Sequence, residues 1–362
     1  TEFKAQVLSF GEDEGRAYAE LDQSAFFPEG GGQAADEGVL AGFKVIDVQR
    51  KDGRVLHYLA LSAEDKERAH KTFTPGCEVE GEVDYNLRFL RMQNHLAEHL
   101  FCGIAHRRFG LDNVGFHLTD IVTFDLSGPL TKEEIADIER KCNEAVWANV
   151  PIRVHFPTAG ELGSYAFRSK LELEDGIRLV EIEGYDLCAC CAPALHSSGE
   201  IGPIKVISHM PHRGGVRITL IAGKSAYEDY ALLARETEDL MKTFSARREL
   251  VSEYAAEYVR KATAEHELNT ALRKEIAALT AEKVKEITKS GRERICFFLK
   301  DGDEVQVRNI INTCVKEYDG IICGFRGNDR EGYRYVCGRR EADKDDSLRT
   351  LAVELKQAFG GS

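Results

Sequence analysis

The sequence predicts an α+β protein of several domains, and three observations lead to this class. Residues 1 to about 85 form short β-rich runs, a helical period begins at Leu87, and Ser225 to about Lys289 contains neither Gly nor Pro. A chain of 362 residues also exceeds one ordinary hydrophobic core. The expected parts are a small β-barrel over 1–85, an α+β domain over 86–224, a coiled-coil-like helical segment over 225–290 and a C-terminal α/β domain over 291–362.

The first part is rich in alternating or β-branched runs separated by Gly, Asp and Pro, which suits a small barrel. Its predicted strands are FKAQVLSF, RAYAELD, GVLAGFKVIDVQR, RVLHYLAL and CEVEGEVD. The segment FFPEGGGQAADEG interrupts them with three successive glycines, Gly30, Gly31 and Gly32. Such a run marks a backbone that turns sharply or approaches another group closely.

The second part begins with NLRFLRMQNHLAEHLFCGIAHRRFG, whose apolar residues recur at helical spacing and whose helix should end at Gly110. A second helix is predicted after Thr131, a capping residue followed by two acids. The remaining runs are predicted as strands. They are VTFDLSG, IRVHFP, IRLVEIEGYDL, IGPIKVISH and GGVRITLIAG.

The third part carries apolar residues mostly three or four apart, from Leu240 to Leu279. This spacing predicts a long helix, or a pair of helices, with one apolar seam through which two copies would pair. From Gly291 the pattern is β-α-β-β-α.

Composition is that of an ordinary globular protein, with 43% hydrophobic and 30% charged residues. A net charge of −13 argues against a chain coated in nucleic acid but permits a local basic track. No apolar run approaches a membrane span, and the first residues lack the pattern of a signal peptide. Seven of the ten cysteines are isolated and are interpreted as small buried hydrophobes of a reducing cytosol, which predicts a cytoplasmic protein. They are Cys77, Cys102, Cys142, Cys296, Cys314, Cys323 and Cys337.

The other three cysteines cluster in DLCACCAPALHSSGEIG, as Cys188, Cys190 and Cys191. Earlier in the same part, HLAEH places His95 and His99 four apart, so that both imidazoles project from one face of the predicted helix. This is the spacing with which a helix offers two nitrogen ligands to one zinc ion. Two histidines and a cysteine, with an open position, are chemically reasonable for a catalytic zinc site.

HLAEH also matches the H-x-x-E-H pattern of inverzincin peptidases, in which the acid acts as base. The β-rich leader and the cysteine cluster have no place in that scheme. Glu98 in addition lies off the histidine face by about 100° per residue, which favours a structural role.

Four motifs occur in an order that resembles one family. They are FFPEGGGQAADEG, RMQNHLAEH, CACCAPALHSSGEIGPIKV and RGGVRITLIAG. The arrangement closely resembles the editing domain of alanyl-tRNA synthetase and its free-standing AlaX relatives, over residues 1 to about 225. The seam helix and the last unit resemble the C-terminal coiled coil and globular domain of the same synthetase, as in a long AlaX form. The last unit would then bind tRNA, or would join two copies together with the helical segment. The resemblance implies a zinc-dependent trans-editing hydrolase that deacylates tRNA(Ala) mischarged with serine or glycine.

The resemblance implies zinc ligands at His95, His99 and Cys190, but the expected fourth ligand falls on Ala194. His196, two positions further on, is one substitute, because a two-residue shift in a strand keeps the same side of the backbone. Cys188 or Cys191 is another. Three protein ligands with water, or no metal at all, are the remaining alternatives.

Further roles follow from the same resemblance. Gln33 would act at the editing pocket, Gly30 to Gly32 would let backbone approach the terminal adenosine, and the Thr119 or Thr123 hydroxyl would recognise serine. Arg213 and Arg217 would lie near RNA phosphates, or else form surface salt bridges. A non-catalytic tRNA-binding module with a decayed metal site is the third functional alternative, beside the editing hydrolase and the peptidase.

Overall fold

A computed structural model of the chain describes residues 1–119, 121–158, 160–169, 177–300, 302–328, 330, 332–340 and 347–359. Its contacts divide the chain into two compact units, Thr1–Glu236 and Thr237–Ser362. Residues 360–362, which the predicted last domain includes, lie outside the described residues. Within the described ranges no helix is both long and apolar enough for a membrane span. The predicted α+β class is confirmed.

The first unit begins with a closed barrel, as predicted. The barrel has six strands in the order β1-β2-β5-β4-β3-β6, because the predicted run GVLAGFKVIDVQR forms two strands, β3 and β4. Closure leaves no free strand edge, and side chains alternate between the filled interior and solvent. The short helix α1 was not predicted from the sequence. The elements are β1 (Glu2–Asp13), β2 (Arg16–Leu21), β3 (Gly38–Leu40), β4 (Phe43–Lys51), β5 (Arg54–Ala60), α1 (Asp65–Thr72) and β6 (Glu78–Val83).

The central helix of this unit is α2 (Tyr85–Phe109). The Asp84 side chain caps its first turn by accepting from the backbone N–H of Leu87, and Gly110, at φ 67°, ends it as predicted. Every residue from Arg91 to Ala105 is buried. A helix buried on all sides must provide partners for the polar side chains it carries, because an unpaired buried polar group is costly.

Two antiparallel sheets and a second long helix surround α2. The four-stranded sheet has the order β12-β13-β8-β7 and the three-stranded sheet the order β11-β10-β9. A capping box at Thr131 starts α3, as the sequence predicts. The elements are β7 (Asn113–Leu118), β8 (Val122–Leu126), α3 (Lys132–Ala148), β9 (Ile152–His155), β10 (Leu179–Ile182), β11 (Asp186–Ala189), β12 (Ile204–His212) and β13 (Gly215–Ala222).

The segment without Gly and Pro forms a pair of helices, α4 (Gly223–Phe244) and α5 (Val251–Thr288). The first ends at Ser245, which has the left-handed φ of 51°. The β-α-β-β-α pattern beyond it is confirmed, with α6 as the crossover between the parallel strands β14 and β15. Its elements are β14 (Arg294–Phe298), α6 (Glu304–Cys314), β15 (Ile321–Asn328), β16 (Gly332–Gly338) and α7 (Ser347–Phe359).

All ten thiols are free. The prediction that isolated cysteines are buried is correct for Cys102, Cys142, Cys314 and Cys323. It is wrong for three others, because apolar sequence neighbours do not decide which way one side chain faces. Cys77 and Cys296 are exposed and Cys337 is half-buried.

Candidate metal centre

The structure brings His95, His99 and Cys190 together. Their ligand atoms all lie within 4.8 Å of one another. The two imidazoles leave the same face of α2 with ring centroids 5.1 Å apart, and Cys190 Sγ lies 3.6 Å from His95 Nε2. Residues that are 95 positions apart in sequence therefore form one buried cluster.

The outer nitrogen of each imidazole has a partner. His95 Nδ1 lies 2.7 Å from Gln33 Oε1, and His99 Nδ1 lies 3.1 Å from Asp186 Oδ2. Since both partner atoms accept hydrogen bonds, each Nδ1 carries a proton, and Nε2 is the nitrogen left to bind a metal. This tautomer is the one that a metal-binding histidine needs.

The pKa of each of two cluster residues, Cys190 and His99, is shifted by its charged neighbours. Burial alone would raise the pKa of the Cys190 thiol, but the imidazoles of His95 and His99 outweigh it and hold that pKa well below its ordinary value. Burial likewise disfavours a charged His99, yet hydrogen bonds with Asp186 and Cys190 raise its pKa well above the ordinary value. The sulfur is therefore favoured as thiolate, which is the form that binds metals.

This donor set fits zinc. Two imidazole nitrogens and one thiolate are ligands that zinc prefers, and three protein ligands leave one coordination position open. A second group of possible ligand atoms, from His99, Asp186 and Cys188, shares His99 with the first. Cys191 is exposed and belongs to neither group.

His196, the tentative fourth ligand, is not brought to the cluster. Its side chain is exposed, while the neighbouring Leu195 is buried in the core. Residues 190–196 are not in a strand, so the alternation on which the substitution for Ala194 depended does not apply. The geometry supports three protein ligands.

The glycine loop docks beside the cluster. Gly32 accepts a hydrogen bond from the backbone N–H of Leu118 at 2.9 Å, which attaches the loop to the edge strand β7. Gly32 has a φ of 83°, and a Cβ there would meet the Phe116 ring at 2.6 Å. The Phe116 ring in turn packs on His95, with centroids 4.9 Å apart. A glycine is therefore required at Gly32 for both conformation and space.

Gln33 connects this loop to the metal centre. Its side chain is fully buried, and Oε1 is occupied by His95. Its Nε2 is buried without a hydrogen-bond partner among the described residues. A buried donor left unpaired is rare and points to a partner that binds there.

The two threonines predicted for substrate recognition differ in their placement. Phe116 of β7, which contacts His95, is paired with Phe124 of β8, so both face α2. Thr123 adjoins Phe124 and therefore lies on the opposite face of the sheet. The sheet thus separates Thr123 from the cluster. Thr119 is exposed just after β7 and adjoins Leu118, which is paired with Gln33, so its role in substrate recognition stays a prediction.

Two predicted RNA contacts lie on the hairpin of β12 and β13. Arg213 is exposed in its turn, at φ 46°. Arg217 forms a two-pronged ion pair with Asp125, at 2.7 and 2.8 Å. Arg217 thus adopts the salt-bridge alternative, and its guanidinium lowers the pKa of Asp125.

Glu98 is buried and accepts a hydrogen bond from Asn113 Nδ2. It belongs to neither group of possible metal ligands. This arrangement agrees with the structural role expected for Glu98, and it gives no support to a peptidase in which that acid is the base.

Sequence reasoning missed Asp186 and Arg168. Both nitrogens of one Arg168 fork donate to Asp186, at 2.7 and 2.8 Å. A signal was present, because Asp186 and Cys188 alternate along β11 and so share a side, and Cys190 follows directly after that strand. An acid two residues before a cysteine pair could have been assigned to the same site.

The chain is similar in sequence to known tRNA synthetases. Residues 177–219, which include Asp186 and Cys190, match the threonyl and alanyl tRNA synthetase second additional domain. The alanine–tRNA ligase of Methanopyrus kandleri is 36% identical over 259 residues, which is 67% of this chain and 26% of that enzyme. Those of Thermococcus kodakarensis and Pyrococcus furiosus are 31% and 30% identical, each over 89% of this chain and 35% of the enzyme.

The chain thus spans only about a quarter to a third of the length of these relatives. The similarity nevertheless extends over most of the chain and includes the domain that carries Cys190. The resemblance to alanyl-tRNA synthetase that the four motifs predicted is confirmed, and the chain is related to part of that enzyme.

Proposed function

We propose that the protein hydrolyses the aminoacyl ester of tRNA(Ala) that has been charged with serine or glycine. One observation carries the proposal: three side chains suited to zinc cluster beside a glycine loop, in a chain related to alanyl-tRNA synthetase. The reaction belongs to translation, so a cytoplasmic location is part of the proposal.

Such a hydrolase is needed because a binding pocket can discriminate between similar amino acids only to a limited extent. A pocket shaped for alanine cannot exclude the smaller glycine, and apolar contacts reject an added hydroxyl only about a hundredfold. A second, hydrolytic site must therefore act on the products that the first site wrongly accepts.

Different residues would bind the metal, orient its ligands and admit the substrate. His95, His99 and Cys190 would hold a zinc ion, which supplies Lewis-acid chemistry at such a site when bound. Gln33 Oε1 keeps His95 in the required tautomer. The glycine loop lets the terminal adenosine and its ester come close to backbone, because Gly30 and Gly31 carry no side chain there.

Substrate recognition is assigned to the free donor of Gln33. Its buried Nε2 would donate to an oxygen of the bound substrate, such as the seryl hydroxyl. A substrate lacking that oxygen would leave the donor unpaired, at a cost of about 1–3 kcal/mol. The same donor thus provides both binding and selection.

A second candidate function is a tRNA-binding module without turnover. It is favoured by one observation, the alanine at position 194 where the family has a ligand. This candidate predicts RNA binding that weakens steeply with salt, and no ester hydrolysis.

The test is to incubate the protein with Ser-, Gly- and Ala-charged tRNA(Ala), with and without a chelator. We expect the fastest hydrolysis with serine, whose hydroxyl can accept from Gln33, slower hydrolysis with glycine and alanine, which lack that oxygen, and loss on chelation. His95→Ala, His99→Ala and Cys190→Ala should each abolish turnover while the fold stays intact. His209→Ala, an exposed histidine on β12, is the control. Unchanged hydrolysis in all three cluster variants would refute the proposal.

We further propose that the helical segment joins two copies of the chain. Exposed apolar residues recur along α5 at helical spacing, among them Leu272 at 45% and Ile276 at 51% exposure. Leu272→Glu with Ile276→Glu should shift a dimer to monomer in light scattering. Leu8→Glu, on a barrel strand and 52% exposed, is the control and should not. A wild-type monomer would contradict this proposal.

A further inference from the structure

The buried ion pair of Asp186 and Arg168 contacts His99, one of the proposed metal ligands. Asp186 Oδ2 lies 3.1 Å from His99 Nδ1, and Arg168 donates to both oxygens of Asp186. The side chain of Asp186 is 2% exposed and that of Arg168 is 12% exposed. The three residues form a chain of charge-assisted hydrogen bonds in the protein interior, where the low dielectric constant strengthens each bond.

Arg168 is held in place by backbone pairing as well as by its charge. Its N–H donates to the Leu187 carbonyl at 2.8 Å, and its carbonyl accepts from Ala189 N–H at 2.9 Å. These two bonds attach Arg168 alongside β11, the strand that carries Asp186. The guanidinium therefore meets the carboxylate in a fixed geometry.

Asp186 is placed to orient His99 and not to bind a metal itself. Both of its carboxylate oxygens already accept hydrogen bonds, one from Arg168 and one shared between Arg168 and His99. The guanidinium of Arg168 supplies the charge partner that a carboxylate requires in this buried position, with two hydrogen bonds of 2.7 and 2.8 Å. An ionised acceptor on Nδ1 fixes the tautomer and increases the basicity of Nε2.

We infer that Asp186 and Arg168 are a positioning pair that fixes the tautomer and ring orientation of His99 for metal binding. The inference rests on the proposed zinc site. His95 differs from His99 in this respect, because its Nδ1 partner is the neutral amide of Gln33. His99 is accordingly the stronger donor of the two, and loss of Asp186 weakens the site through His99 alone.

The test measures zinc affinity by competition with a chromophoric chelator. Asp186→Asn keeps an acceptor for His99 but removes the charge, and we expect a Kd weaker by about 10- to 100-fold. Asp125→Asn is the matched control, since Asp125 binds Arg217 in the same two-pronged geometry away from the cluster. Its zinc affinity should equal that of the wild type.

A second variant separates positioning from folding. Asp186→Asn leaves Arg168 buried without its partner charge, which lowers stability by itself. The double variant Arg168→Gln with Asp186→Asn removes both charges. We expect it to regain stability in the zinc-free protein while its zinc affinity stays low. The visible spectrum of the cobalt-substituted protein should also change, because it reports ligand geometry.

The outcomes are distinct. Wild-type affinity in Asp186→Asn, or in the double variant, would overturn the positioning pair while leaving the zinc site intact. A wild-type protein that binds no zinc would instead overturn the proposed metal site on which the inference rests.

Discussion

Replacement of Gly32 by alanine tests how the glycine loop is held against the metal centre. Gly32 has a φ of 83°, and an added Cβ would lie 2.6 Å from Phe116 Cδ1 and 2.8 Å from the Phe116 carbonyl oxygen. The ring can turn, but the carbonyl belongs to β7 and cannot move without disturbing the strand. The left-handed conformation costs about 1–2 kcal/mol for alanine. Overpacking adds about 1–3 kcal/mol.

Gly42→Ala separates these two effects. Gly42 has a nearly equal φ of 78°, but nothing lies within 4 Å of a Cβ built there. It should therefore show the conformational cost alone. In urea unfolding followed by circular dichroism, Gly32→Ala should be less stable than Gly42→Ala by about 1–3 kcal/mol.

The same substitution should weaken zinc retention, because the displaced Phe116 ring packs on His95 and the loop carries Gln33. Gly42→Ala should retain zinc as the wild type does. Equal destabilisation by the two substitutions, with zinc binding unaffected in both, would refute the close docking of the loop on β7.

Three further predictions concern stability and reactivity. Asp125→Asn should cost about 1 kcal/mol or less at neutral pH, because Arg217 is 39% exposed. Arg217 lowers the pKa of Asp125 in the folded state, so the ion pair stabilises the fold above the ordinary carboxyl pKa. This stabilisation is lost as the pH falls through the folded-state pKa of Asp125. The free energies of unfolding of the wild type and of Asp125→Asn should therefore converge in an acid titration. Thr131→Ala should cost about 1 kcal/mol in thermal or urea unfolding, since it removes the capping box of α3, and no change would contradict that cap. Mass spectrometry after brief alkylation should find Cys191 modified and Cys142 not, because Cys142 is fully buried and burial raises its pKa; the reverse order would contradict the packing.

The features that were predicted well from the sequence depend on a local repeat of apolar residues or on a local glycine. The bounds of α2 follow from an apolar period and from Gly110, and the shared face of His95 and His99 follows from their spacing of four. The glycine run likewise indicates a close approach, although the sequence cannot show that Phe116 is the group approached.

The features that it missed depend on which elements pack together. β8 alternates buried and half-buried residues, so Thr123 clearly lies opposite Val122 and Phe124. Only the packing of α2 shows that the metal centre is on the Phe124 side. The spacing over the long segment allowed one helix or a pair, and the break at Ser245 carries no Gly or Pro, so composition could not choose between them.

Asp186 and Arg168 illustrate the same limit at the site itself. Their contact requires the pairing of residue 168 beside β11, which only the tertiary structure defines. His196 failed as a ligand for a related reason, because its segment does not form the strand that the substitution required. The sequence thus indicated which residue types could form the site, whereas the contacts between them depend on which strands form and how these strands pair.

X-ray absorption at the zinc edge of the purified, metal-loaded protein tests the central claim most directly. We predict one zinc per chain, with one sulfur at about 2.3 Å and two imidazole nitrogens at about 2.0–2.1 Å. The sulfur signal should disappear in Cys190→Ser and persist in Cys191→Ser. A zinc shell made only of oxygen atoms, or a sulfur signal that survives the loss of Cys190, would contradict the account.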